Sequence, residues 1–127
     1  MLYRLLRPGE IIENGLSAKD PFSDTTVLQH VTNRSDATLK SKFISTCGSL
    51  QAVVAFSRNI PNPIIVKIWE KNFPVVKIDL RTESTRYMYS TVADTIFHKY
   101  TYEYQEVLFV GYIPETHVEL CANSDLP

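Results

Sequence analysis

An α+β sheet domain is the fold class this sequence predicts, on three observations. Its 127 residues suit a single hydrophobic core, since domains of about 100 to 150 residues are the commonest size. Short β-branched and aromatic runs outnumber amphipathic helical stretches, and the helical stretches fall mostly in the first half. No repeat, low-complexity tract or Pro/Gly/Ser linker divides the chain, whose seven prolines stand at separate turns. One domain over residues 1–127 is therefore expected.

The elements follow in order. Leu2 to Leu6 reads as a strand that Arg7-Pro8-Gly9 stops, because proline lacks a donor and glycine adopts turn angles cheaply. A turn-rich loop passes Asn14-Gly15 and Asp20-Pro21. Ser23 or Asp24 then caps a helix from about Thr25 to Asn33, with Val27, His30 and Val31 on one face. Lys42 to Thr46 reads as a strand, and Gly48-Ser49 breaks it and caps a helix from Leu50 to Arg58 lined by Leu50, Val53, Val54 and Ser57. Pro63 to Trp69 and Val75 to Asp79 are β-branched runs that read as strands. A helix is placed at Thr91 to Phe97, a strand at Tyr104 to Val110, an interruption at Gly111 to Pro114 and a last strand at His117 to Leu120. In that reading Tyr100, Tyr102 and Tyr104 alternate as a half-buried strand does, and Tyr104 shares a face with Glu106. Trp69 and Phe73 belong to the core or to a surface lip.

Composition excludes several classes. With 44% hydrophobic and 21% charged residues the chain has a globular profile and not a disordered one. Thirteen Lys and Arg against 14 Asp and Glu leave no overall positive field for nucleic acid or anionic lipid, although Lys99, Arg81 and Arg86 offer a local basic rim. No apolar run approaches the roughly 18 residues of a membrane span, so no membrane partner is expected and a cytoplasmic location is the default; a secreted or delivered effector is the alternative if the chain belongs to a longer protein. Cys47 and Cys121 lack a metal or redox spacing and read as free thiols or core residues. His30, His98 and His117 are too far apart in sequence for a metal array, and no metal is expected. The glycine patterns of a dinucleotide fold, a P-loop and a hydrolase elbow are all missing.

Three stretches carry chemistry: Leu2-Tyr3-Arg4; Phe43-Ile44-Ser45-Thr46-Cys47-Gly48-Ser49-Leu50; and Gln105-Glu106-Val107 with Gly111-Tyr112-Ile113-Pro114. In this order they resemble the Arg, Ser-Thr-Ser, Glu series of the cholera-toxin-like ADP-ribosyltransferases, over about residues 2 to 118. His30 stands where some members of that family carry a histidine. The resemblance implies two small, mostly antiparallel sheets around an NAD cleft, with helices in the N-terminal half. It implies a mono-ADP-ribosyltransferase that cleaves the nicotinamide–ribose bond of NAD, its substrate, and passes ADP-ribose to a protein or nucleic-acid acceptor, or to water as an NAD glycohydrolase.

The roles implied are chemically coherent. Arg4 presents a fork that binds a carboxylate or pyrophosphate bidentately. Glu106 is the carboxylate that stabilises positive charge growing on the ribose. Ser45 and His30 orient carboxylate or ribose, and Thr46 follows Ser45 in the NAD-binding strand. Tyr104 and Tyr102 fall on the acceptor side. The sequence departs from arginine-modifying members, which carry a glutamate where Tyr104 stands, and a phenol with a pKa near 10 is a poor base for an acceptor guanidinium. Cys47 replaces the second serine of Ser-Thr-Ser.

Plainer readings stand beside these. Taken singly, Arg4 and Glu106 are solvated strand charges, His30 is a satisfied half-buried histidine, Ser45 caps the next turn, and the three tyrosines are packing residues. The competing function is a catalytically silent module that keeps the fold and binds a partner, and a third reading is a fragment of a larger toxin or effector.

Overall fold

The computed structural model describes residues 1–34, 36, 38–92 and 95–126. It is an α+β domain in which every strand pair is antiparallel. The strands are β1 (Leu2–Leu5), β2 (Leu16–Ser17), β3 (Phe43–Cys47), β4 (Ile65–Ile68), β5 (Lys77–Asp79), β6 (Glu106–Val110), β7 (Tyr112–Ile113) and β8 (Val118–Leu120). The helices are α1 (Val27–Thr32), α2 (Leu50–Phe56), α3 (Glu83–Tyr89) and α4 (Ile96–Glu103). Six strands form one sheet in the order β5-β6-β3-β1-β4-β8, and β2 pairs with β7 in a separate ribbon. Among the described residues no helix is long and apolar enough to cross a membrane.

The sheet is buried on both faces, which accounts for the unbroken apolar run Val107-Leu108-Phe109 in β6. On one face Leu2, Ile44, Ile68, Val107 and Phe109 pack under the ribbon residues Leu16 and Ile113. On the other, Phe43 and Leu108 pack with Val27 and Val31 of α1 and Phe97 of α4, while Cys47 and Ile65 pack with Ala52 and Val53 of α2. Phe73 stacks against Phe109 at the edge of the core, whereas Trp69 is exposed and donates its indole N–H to Glu119.

Several elements differ from expectation. α1 is capped by neither Ser23 nor Asp24: Thr26 accepts from the Gln29 N–H and the Gln29 side chain accepts from the Thr26 N–H, and this reciprocal box starts the helix at Val27. Ser49 caps α2 as expected. Of the helix expected at Thr91 to Phe97, Thr91 and Val92 are not helical, positions 93 and 94 lie outside the described residues, and Ile96 and Phe97 form the start of α4. Instead α3 and α4 occupy the second half of the chain, so helices are not confined to the first. Tyr100 and Tyr102 lie in α4 and Tyr104 is its C-cap, so the three tyrosines are not a strand. Thr95 caps the helix, and the pairs Phe97/Thr101 and Tyr100/Tyr104 keep the i, i+4 spacing of a helix face. This four-residue period overrides the alternation of the tyrosines. The expected basic rim does not form: Arg86 is buried and donates to the carbonyls of Leu80 and Arg81, and Arg81 is paired with Asp79.

The turn into β6 sets the register of the site. Gln105 takes the left-handed conformation, φ 48°, directly after the α4 C-cap, and its carbonyl accepts the Gly48 N–H at 2.8 Å. That bond clamps the end of β3 to the start of β6 and sets Glu106 opposite Cys47.

Candidate active site

A cavity of about 340 Å³ opens beside the ends of β1, β3 and β6, and Arg4, His30, Ser45 and Glu106 all line it. Alternation along β3 turns Phe43, Ser45 and Cys47 toward this cavity. Thr46 therefore points to the other face, where its hydroxyl donates to the Val107 carbonyl at 2.7 Å. The residue expected at the NAD site is a buried cross-strand tie and does not line the cavity.

His30 stands in the last turn of α1 at the cavity wall. Its Nε2 is 2.6 Å from Ser45 Oγ and its Nδ1 is 2.7 Å from Ser41 Oγ. Ser41 is buried and its Oγ also accepts the Phe43 N–H. Burial, and then the charges of Arg34, Arg4, Arg7 and Lys19, lower the imidazole to about 4, so His30 is neutral near pH 7.

Glu106 is 1% exposed. Burial pushes its carboxyl above the ordinary range, while the charge of Arg34, the nearby Ser45 hydroxyl and the charge of Arg4 hold it back. Arg34 Nη2 lies 3.1 Å from Glu106 Oε1. The approach is too bent for a hydrogen bond, so both of these buried atoms keep unmet hydrogen-bonding capacity. Three rings flank the Arg34 guanidinium, Tyr100 at 5.3 Å, Phe56 at 5.7 Å and Tyr104 at 5.8 Å.

Arg4 is committed differently from the free fork expected. β1 and β3 pair only at Tyr3 and Cys47, and the Arg4 side chain takes the place of the next rungs. Its Nη1 donates to the Ser45 carbonyl at 2.7 Å and its Nη2 spans both carboxylate oxygens of Glu10. Glu10 also accepts the Arg7 N–H and pairs with the Arg7 guanidinium. Burial would raise the Glu10 carboxyl, but Arg4 and the Arg7 backbone N–H bring it below the usual range. Arg4 thus fixes the backbone that carries Ser45, and its buried Nε is the atom left without a partner.

Of the two tyrosines expected on the acceptor side, Tyr104 packs edge-on against Phe56 and over Arg34 without lining the cavity. Tyr102 is 75% exposed beside Arg86 in a second depression with Ile96, His98 and Lys99, and lines no part of the first cavity. Cys47 lines the cavity as an inert thiol, pushed up to about 12 by burial and by the Glu106 charge.

Three residues of the site escaped the sequence reading, Arg34 and Ser41 on the cavity wall and Glu10 behind Arg4. Arg34 follows α1 in a polar stretch with no periodic signal. Ser41 precedes the β3 run, and only its spacing of two before Phe43 hints at a turn. Glu10 carried the clearest available sign, a carboxylate just past a Pro-Gly turn that brings it back to Arg4 and Arg7.

No family model matches the chain, and neither the curated proteins nor the solved structures contain a match to it.

Proposed function

We propose that this domain cleaves NAD between nicotinamide and ribose and delivers ADP-ribose to a macromolecular acceptor or to water. The observation that carries the reading is a fully buried carboxylate, Glu106, set beside the hydrogen-bonded series Ser45, His30 and Ser41 on the wall of one cavity. As the bond from nicotinamide N1 to ribose C1′ breaks, its electron pair neutralises the departing pyridinium and positive charge gathers on the ribose. Glu106 stabilises that charge and accepts a hydrogen bond from a ribose hydroxyl in a site shielded from water. A bond from C1′ to an acceptor heteroatom or a water oxygen then forms, and the acceptor loses its proton.

The polar series has a consistent direction. With His30 neutral, Nδ1 accepts from the Ser41 hydroxyl and Nε2–H donates to Ser45, which leaves the Ser45 proton to donate to an ionised Glu106 or to a ribose oxygen. Arg4 acts one step back, by holding the Ser45 carbonyl. The cavity walls carry four cationic side chains, Arg4, Arg7, Lys19 and Arg34, against Asp36 and Glu106, a balance suited to an anionic dinucleotide.

The acceptor is a protein, a nucleic acid or water. Tyr104 packs over Arg34 outside the cavity lining and supplies no second carboxylate, so water and non-guanidinium acceptors suit the site better than arginine. A catalytically silent binding module is the second reading, and the Arg34–Glu106 pair favours it by neutralising the key charge. Nicotinamide release from NAD separates the two. The enzyme reading expects release that falls by about 100-fold or more in Glu106→Gln, the usual cost of losing a preorganised electrostatic group. No release, with and without protein or nucleic-acid acceptors, overturns it and leaves the binding module.

A further inference from the structure

The Arg34–Glu106 pair sets a condition on any chemistry at Glu106. A guanidinium 3.1 Å from the carboxylate cancels the charge that a developing ribosyl cation needs, so Arg34 must move off before the bond breaks. Moving it into water would leave a buried carboxylate without its counter-ion, which is costly. A ligand that brings its own anion allows an exchange instead.

The surroundings of Arg34 suit such an exchange. It lies immediately after the α1 C-cap, Asn33, in the segment leading to β3, and is 14% exposed. Its Nη2 is a buried donor with unmet capacity. The flanking rings of Phe56, Tyr100 and Tyr104 surround the guanidinium and its Nε donates to the Val31 carbonyl at 3.3 Å, so Nη2 can change partners while the rest of the group stays anchored. The other two cavity arginines, Arg4 and Arg7, are both tied to Glu10, and Lys19 is exposed. Arg34 is thus the cavity arginine poised to receive a phosphate.

Building on the NAD-cleaving reading, we propose that Arg34 is a substrate-operated latch: it holds Glu106 in the free protein, transfers to the diphosphate of the bound dinucleotide, and thereby confines cleavage to nicotinamide ribosides that carry phosphate. The latch makes Arg34 a positioning and specificity residue. It helps the dinucleotide, through a charge-assisted contact, and opposes the bare riboside, which cannot draw it away from Glu106.

The test is nicotinamide release from NAD, nicotinamide mononucleotide and nicotinamide riboside by the wild-type chain and by Arg34→Gln. Opposite signs are expected: kcat/KM falls about 10-fold or more for NAD and rises about 10-fold for the riboside, each the size of one charge-assisted hydrogen bond. A second arm needs no variant. Inorganic diphosphate should accelerate wild-type cleavage of the riboside several-fold, by taking Arg34 in place of the missing substrate group. Proportional loss on NAD and the riboside in Arg34→Gln, or inhibition or no change with diphosphate, overturns the latch while NAD cleavage stands. No release from any substrate by the wild-type chain removes the parent reading, and the latch with it.

Discussion

His30 shows how one residue reports on the site. Its folded value of about 4 against the ordinary 6.5 means that between these pH values the unfolded chain binds a proton that the native chain refuses. Stability therefore rises with pH through this window and is flat above it. The contribution is at most about 3 kcal/mol, from 1.36 kcal/mol per pKa unit. Glu106, shifted upward by burial, works in the opposite sense, since the native carboxyl holds its proton longer and stability falls as pH rises through the carboxylate range. Denaturant unfolding from pH 4 to 8 isolates the histidine: subtracting His30→Gln from wild type should leave a difference whose slope lies between about pH 4 and 6.5 and vanishes above. A slope that persists at pH 7 to 8 assigns the effect to another group. Sequence made this residue visible through its place on the face of Val27 and Val31; its partner Ser41 was invisible, because a serine before a strand makes no pattern until the chain folds.

At the scale of elements, the junction between β3 and β6 decides whether Glu106 reaches the cavity. A Cβ on Gly48 would lie 2.7 Å from Arg81 Cδ and 3.1 Å from the Gln105 carbonyl oxygen, so the clamp that aligns the two strands tolerates no side chain. Gly48→Ala should cost about 1 to 3 kcal/mol in chemical denaturation, as overpacking does, and should lower nicotinamide release because Glu106 shifts with its strand. Unchanged stability would show that Arg81 and Gln105 move aside freely. The β3-to-α2 unit was legible because a β-branched run followed by Gly-Ser has few other solutions. The start of β6 was not: Tyr100, Tyr102 and Tyr104 alternate and also sit four apart, and only packing of Phe97 against Leu108 chooses the helix. Gln105 then ends that helix in a conformation that its side chain does not advertise.

Across the whole molecule, the six-stranded sheet separates chemistry from foundation. Phe109 lies on the ribbon side with Ile44 and Ile113, and Leu108 and Glu106 alternate onto the cavity side. Phe109→Ala should cost about 3 to 5 kcal/mol, the range for emptying a buried aromatic site, and leave nicotinamide release nearly unchanged in the folded fraction. A selective loss of release at full stability would mean that the two faces are coupled. The strand order β5-β6-β3-β1-β4-β8 places β4 and β5, neighbours in sequence, on opposite sides of the centre. Nothing in the local composition of either strand encodes that separation.

The sequence by itself determined the α+β class, the strand-turn-helix at Ser45 and the candidacy of Arg4, His30, Ser45 and Glu106, because these rest on local periodicity, turn chemistry and motif order. The tertiary structure alone decided that those four side chains share one cavity, that Thr46 faces away from it, that Arg4 is spent on Glu10 and the Ser45 backbone, and that Arg34 sits on Glu106. The reason is physical. The Arg4–Ser45, Thr46–Val107 and Arg34–Glu106 contacts join residues 41 to 72 positions apart and depend on which strands are neighbours and in what register, a choice made by burial of the whole core at once.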